Sequence, residues 1–210
     1  MEQISQNEAQ AILSRLQDSI VETVYGAWDK LVREVLPLFP LCTIRFRRNA
    51  MYDLMIQKAR PLFQDVRGVR LIETRRGRIL LTIDTPDSHL ILRFKKVDNH
   101  LKPANYPTQE SLAFNDQEPN LPGIPHGVRL TVGYLMNTDD TELQGVYIIC
   151  SKGNYIYWEY PITLTEQTPK VVVFPTPDSQ EPEKRVRGKS NVADLQEARR
   201  IKGQSKNNKE

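Results

Sequence analysis

The sequence predicts an α+β fold: N-terminal helices packed on a mostly antiparallel β-sheet, followed by a disordered basic C-terminal tail. Three observations point there. Apolar residues recur at helical spacing from Ile12 to Val35. From Val69 to Leu164 the chain is a series of β-branched and aromatic runs separated by turn residues. From Pro175 onward it is rich in Pro, Ser, Gln, Glu and Lys, a composition that cannot bury a core. The expected organisation is one domain over residues 1–174, helical over 1–66 and sheet-forming over 67–174, with a tail over 175–210.

The first helix opens on Ser5-Gln-Asn-Glu8, a capping box with serine at the N-cap and glutamate three residues on. Ile12, Leu13, Leu16, Ile20, Val24, Ala27, Trp28, Leu31, Val32 and Val35 then form one apolar stripe. Asp29 with Arg33 and Lys30 with Glu34 supply i,i+4 pairs on the outer side. Pro37 and Pro40 end the helix. The stripe reads as packing on the sheet, or as a dimerisation or partner helix, and Gly26 suits close approach of another element. Thr43 to Asn49 is expected to be extended and to carry Arg45, Arg47 and Arg48, with Asn49 capping a second helix from Ala50 to about Arg60. Three arginines before a helix N-terminus oppose its dipole. They read as solvated side chains, or as a place where a phosphate would sit.

Val69–Thr74 and Ile79–Ile83 flank Arg75-Arg76-Gly77-Arg78 and read as a hairpin. Asp84–Ser88 is the next turn. His89–Val97 alternates, so that Leu90, Leu92 and Phe94 face a core while Ile91, Arg93, Lys95 and Val97 face the other way. Asp98 to Gly127 contains five prolines, with one helical turn expected near Gln109–Phe114 and a cover or flap as its role. Val128–Met136, Glu142–Cys150 and Tyr155–Leu164 form a meander, and Val171–Phe174 an edge strand, for six to eight strands in all. Aromatic side chains on both faces of Tyr155–Tyr160 imply cover on both faces by helices and the proline-rich loop; stacking platforms for bases are the alternative.

The net charge of +3 conceals segregation: residues 45–78 carry net +7 and residues 184–210 net +6, whereas residues 103–166 carry net −6. Blocks of this kind suggest a positive and a negative patch on one molecule. The basic residues singled out for nucleic-acid binding are Arg45, Arg47, Arg48, Arg75, Arg76, Arg78, Arg93, Lys95 and Lys96. Cys42 and Cys150 read as buried thiols in a reducing compartment. The first residues lack a signal-peptide pattern, and no apolar run approaches the roughly 20 residues of a membrane span, so a cytoplasmic protein without membrane contact is expected.

No nucleotide-binding glycine loop, HExxH or paired CxxC is present, and no cofactor is expected. His89, His100 and His126 have no metal-ligand spacing, so no metal site is assigned. The span Asp84–Lys96 lacks the second carboxylate of a two-metal nuclease, because Arg93 and Phe94 stand where it would be. A metal-free ribonuclease would draw on His89, Arg93, Lys95, His126 and Tyr134, a set that most basic proteins could match.

Five stretches carry a resemblance: R-F-K-K-V-D at 93–98, P-T-Q-E-S-L-A-F at 107–114, L-P-G-I-P at 121–125, V-G-Y at 132–134 and G-V-Y-I-I-C at 145–150. Together they resemble small bacterial proteins encoded beside helix-turn-helix or ImmA-type regulators, in toxin–antitoxin-like or phage-defence operons of the RosmerTA sort. The resemblance spans the middle third of the chain and transfers no catalytic residue. It implies an intracellular bacterial effector held in check by a protein partner, an antitoxin or regulator. The expected function is accordingly a toxin-like or defence-associated effector acting through its basic surface. The alternatives are a non-enzymatic module that binds a regulator or nucleic acid, and a regulated nuclease. A homo-oligomer is compatible with all three.

Overall fold

Six strands lie side by side in the order in which they occur in the chain: β1 (Val69–Glu73), β2 (Ile79–Asp84), β3 (His89–Val97), β4 (Val128–Met136), β5 (Leu143–Lys152) and β6 (Tyr155–Ile162). This computed structural model describes residues 4–74, 78–86, 88–103, 108–119 and 121–163. The expected edge strand at Val171–Phe174, the tail, Arg75, Arg76 and Gly77 lie outside the described residues. Four of the five strand pairings are antiparallel. The β3–β4 pair is parallel and makes the sheet mixed. A parallel pair requires a crossover, and residues 98–127 supply it.

Register divides the sheet into two faces with different contents. One row runs Leu81, Leu92, Leu130, Cys150 and Trp158, all buried. The row on the opposite face runs Leu80, Arg93, Thr131, Ile149 and Glu159. The apolar face, here called inner, receives the N-terminal helices. The outer face receives the crossover.

The helical layer consists of α1 (Gln6–Leu13), α2 (Gln17–Lys30) and α3 (Ile44–Phe63). Ser5 caps α1 as expected: the Glu8 N–H donates to Ser5 Oγ at 3.3 Å, and the Ser5 N–H donates back to Glu8 Oε2 at 2.9 Å. What the spacing predicts as one helix is a helical run with a tight 3₁₀ turn at Ser14–Leu16, a wide π turn at Leu31–Val35 and a 3₁₀ turn at Leu36–Leu38. The stripe serves as packing, since Leu13, Leu16, Ile20, Val24, Ala27, Trp28 and Leu31 are all buried. Two polar ties fix the layer to the far edge of the sheet. Trp158 Nε1 donates to the Ile4 carbonyl at 3.0 Å, and Gln17 Nε2 donates to the Thr163 carbonyl at 3.0 Å. Gly26 marks close approach: a Cβ there would meet Lys58 Cε of α3 at 2.9 Å, where Lys58 crosses α2 to reach Glu22.

The second helix corrects the sequence reading. It begins at Ile44 rather than Ala50, because Thr43 rather than Asn49 is the N-cap and accepts the Phe46 N–H at 3.2 Å. A β-hydroxyl at the cap satisfies a donor that would otherwise face water alone, and Arg45, Arg47 and Arg48 then fall inside the first two turns. At about 100° per residue Arg47 points away from Arg45, and Arg48, one turn on from Arg45, is engaged by Asp140. They do not converge on the helix N-terminus as a phosphate site there requires.

The crossover carries α4 (Gln109–Asn115), close to the turn expected there, capped by Thr108. Ala113, Phe114 and Leu121 pack on Leu80 and Ile91 of the outer face. Covering loop and covering helices therefore flank the sheet as expected, but among the described residues the outer side of β6 at Tyr155 and Tyr157 is left uncovered. Trp158 and Tyr160 are buried inside with ring centroids 6.0 Å apart, while Tyr155 and Tyr157 remain exposed outside.

Gly127, at the end of the crossover, lies against β3: a Cβ there would stand 2.2 Å from the His89 carbonyl oxygen. Backbone cannot yield as a side chain does, so Gly127→Ala must part β3 from the start of β4. The expected cost is about 3 kcal/mol, by analogy with overpacked cores, read as a lower urea midpoint at unchanged m-value.

Candidate functional site

Strand β3 sets the site, because its R-F-K-K run projects cations to both faces in succession. Lys96 points to the inner face and Arg93 and Lys95 to the outer. Each face answers that charge differently.

On the inner side the counter-charge is Asp140, which is only 3% exposed. Arg48 of α3 donates to Asp140 Oδ2 through Nε at 2.6 Å, and Lys96 Nζ donates to Oδ1. The β4–β5 turn aims this carboxylate. Asn137 Oδ1 accepts the Thr141 and Glu142 N–H groups at 2.8 and 3.1 Å, while Asp140 itself takes φ +53°, a conformation Asp tolerates. The turn thus clamps α3 to β3. Burial and the nearby Asp140 charge raise the Tyr134 hydroxyl far above its ordinary value. Arg47 lies beside this network, with its Nε buried and no hydrogen-bond partner.

On the outer side Arg93 is 6% exposed, and among the described residues its hydrogen-bond and ring partners are neutral. It donates to Thr131 Oγ1 at 3.1 Å and to Asn115 Oδ1, and its guanidinium lies 4.1 Å above the Phe114 ring. Arg129, one strand over, is 1% exposed, with its guanidinium 5.8 Å from the same ring. Its Nη1 reaches the Ala113 carbonyl at 3.4 Å, while Nε and Nη2 are buried with no hydrogen-bond partner among the described residues. No carboxylate forms an ion pair with Arg93 or Arg129 among the described residues. Burial and the neighbouring Arg78 lower the Arg93 value to about 9, so it stays cationic at neutral pH. Burial, then Arg93 and Arg78, lower the Lys95 ammonium to about 8 against the opposing pull of Glu110. Arg78 pairs with Glu110 of α4 at 3.3 Å. Gln117 locks this layer in place: its side chain accepts the Arg129 N–H at 2.9 Å and donates to the carbonyls of Arg129 at 2.7 Å and Ser151 at 3.1 Å.

The seven described residues of the nine basic ones picked from the sequence therefore do not share one surface. Arg78, Arg93 and Lys95 gather on the outer face and Arg48 and Lys96 meet at Asp140, while Arg45 is exposed on the helical layer and Arg47 is half-buried there. Arg75 and Arg76 lie outside the described residues. Of the ribonuclease set, Tyr134 stands on the opposite face from Arg93 and Lys95, and His89 Nδ1 lies 3.1 Å from Asp84, which also pairs with Arg70. Cys150 is a buried free thiol, raised to about 11 by burial, and Cys42 is free but only half-buried, contrary to expectation. Sequence reasoning missed Asp140, Gln117 and Arg129. The Asn137 turn hinted at the first; nothing local marks the other two. Among the described residues no helix is long and apolar enough to cross a membrane, and no cluster of three or more His, Cys, Asp or Glu could hold a metal ion.

A third feature is the tip of the helical hairpin. Leu38, Phe39, Leu41, Ile44 and Phe46 are all exposed, Leu41 at 95%, with Phe39 and Phe46 in contact at 5.2 Å between ring centroids. No protein-family model, curated protein or solved structure matches this chain.

Asp140→Asn should leave Lys96 and Arg48 without a counter-charge and cost about 2–3 kcal/mol, the penalty of a buried group stripped of its partner, read by chemical denaturation. Lys95 predicts an opposite sign. The unfolded chain holds that proton up to the ordinary 10.5, the folded chain only to about 8. Stability contributed at this position therefore rises with pH across that window, and below it the cost is fully present. Lys95→Met should be more stable than the parent at pH 7, with the advantage shrinking between pH 8 and 10.5 in paired melting curves.

Proposed function

We propose that the protein works by docking an acidic protein partner on its helical-hairpin tip, in the manner of an effector held in check by a regulator. One observation carries this: five large apolar side chains between Leu38 and Phe46 face solvent, with exposed Arg45 between Ile44 and Phe46 and exposed Arg48 two residues beyond. Contiguous exposed apolar surface of this kind marks an interaction site. Apolar anchors beside cations are complementary to an amphipathic segment with acidic flanks, the chemistry of a protein regulator. Arg48 contributes less to such a surface, since Asp140 engages its Nε. The effector half of the reading rests on the resemblance of the middle third to operon-encoded, regulator-controlled proteins. The broader reading, a plain interaction module, shares the same surface.

The test uses the full chain as bait, with the captured protein identified by mass and its binding measured after purification. Leu38→Asp and Leu41→Asp should leave the melting temperature unchanged, because both side chains are largely exposed. Each should weaken the partner by roughly 30-fold, the loss of an anchor of about 2 kcal/mol. Binding should tighten at low salt. Retention of the partner by the double variant, or flotation of the wild-type chain with anionic phosphatidylglycerol vesicles in its place, overturns the proposal. Growth arrest on induction, relieved by co-expressing the partner, separates the effector from a plain module.

A further inference from the structure

We propose that the recess between the helical hairpin and the ends of β3 and β4 receives one aspartate or glutamate side chain of the acidic partner, held between Arg47 and Arg48. This rests on the docking role proposed for the hairpin tip and adds the place and chemistry of one anchor.

The recess is built from every layer around it. Arg47, Arg48 and Met51 come from α3, Leu31 from the π turn after α2, Lys96 from β3 and Asp140 from the β4–β5 turn, among others. Position along α3 joins it to the tip. Arg47 and Arg48 stand one turn after exposed Ile44 and one turn before buried Met51. Residues three and four apart are neighbours on a helix surface. The side of α3 that presents Ile44 to solvent therefore leads straight to the two guanidiniums.

Charge in the recess is unequal. Arg47, Arg48 and Lys96 are three cations against the one carboxylate of Asp140, an excess of two. Both Asp140 oxygens are already engaged, Oδ2 by Arg48 Nε and Oδ1 by Lys96 Nζ. Arg47 receives no share: among the described residues it forms no ion pair, and its Nε is buried with no hydrogen-bond partner. A buried donor left without an acceptor is costly, and an incoming carboxylate removes that cost. Arg48 gives Asp140 only its Nε, and its side chain is 52% exposed. Its Nη groups are left for a second acceptor, in the forked geometry that suits a carboxylate.

Size selects the kind of anion. The free space is about 20 Å³, the room of one small polar group. A planar carboxylate on a slender methylene stem fits it, with Leu31 and Met51 as apolar walls for the stem. A phosphate is bulkier, and a chain-end carboxylate brings its own side chain and peptide group to the mouth. The fitting group is an acidic side chain of a segment that lies across the tip.

NMR of the Arg47 and Arg48 Nε–H resonances in the full chain tests this. The probes are N-acetyl-aspartate N-methylamide, its neutral asparagine counterpart, N-acetyl-leucine, whose carboxylate is a chain end, and inorganic phosphate. The aspartate compound shifts both resonances saturably, and the other three bind more weakly or not at all. Arg47→Met, read at Arg48, keeps its melting temperature and binds the aspartate compound about 10-fold more weakly, the effect of one close charge. Arg47→Lys regains part of that affinity. Leu41→Ala leaves it unchanged, because the tip is not in the recess. Absence of a saturable shift with the aspartate compound overturns the inference. So does equal affinity for the asparagine compound, N-acetyl-leucine or phosphate, or an Arg47→Met variant that binds as the parent does. Binding of the aspartate compound by a wild-type chain that captures no partner fails the docking role alone; capture of a partner without binding of the aspartate compound fails the recess alone.

Discussion

Three cations within four residues of a strand near the sheet centre are the constraint to which the rest of this structure responds. Strand β3 has neighbours on both sides, and its alternation sends Lys96 to the inner face and Arg93 and Lys95 to the outer. Neither face there is open water, since helices cover one and the crossover the other. A charge in such a place must be paired, bonded or matched by an external ion. The inner face answers with a buried carboxylate, and the outer face meets Arg93 with neutral acceptors and an aromatic ring.

The inner answer shapes the helical layer. Asp140 accepts from both Arg48 and Lys96, so one carboxylate ties α3 to β3 through the β4–β5 turn. A buried ion pair is weak evidence of added stability, but it is strong on position: α3 cannot shift along the sheet without stranding a charge. The hairpin of α2 and α3 is thereby held with its apolar tip outward, and the tip residues, having no sheet beneath them, stay exposed. A rigid base and an unsatisfied apolar end are what a docking element requires.

The outer answer explains why the crossover is built as it is. Phe114 is placed over two guanidiniums, Asn115 and Thr131 accept from one of them, and Gln117 pins the loop to β4 and β5. Neutral acceptors and an aromatic face moderate buried positive charge without cancelling it. The Glu110 carboxylate stands at the open end of the same row. Burial first, and then the neighbouring Arg93 and Arg78, hold the Lys95 ammonium beneath this cover below its ordinary value.

The sequence by itself determined the layers: capping box, apolar stripe, six strand runs and their two-residue alternation follow from local chemistry and period, which act between near neighbours. It also located the basic residues, though not their partners. Where α3 begins was misjudged because Thr43 and Asn49 are both competent caps, and it is the Thr43 hydroxyl that accepts an N–H of the first turn, from Phe46. Only the tertiary structure decided that β3 and β4 run parallel, that Asp140 claims Arg48 and Lys96 across 92 and 44 residues, and that Arg129 is buried beside Arg93. These are pairings over long sequence separations, where no periodicity links one partner to the other and the identity of a charge's neighbour is set by which strands and turns the closed chain brings together.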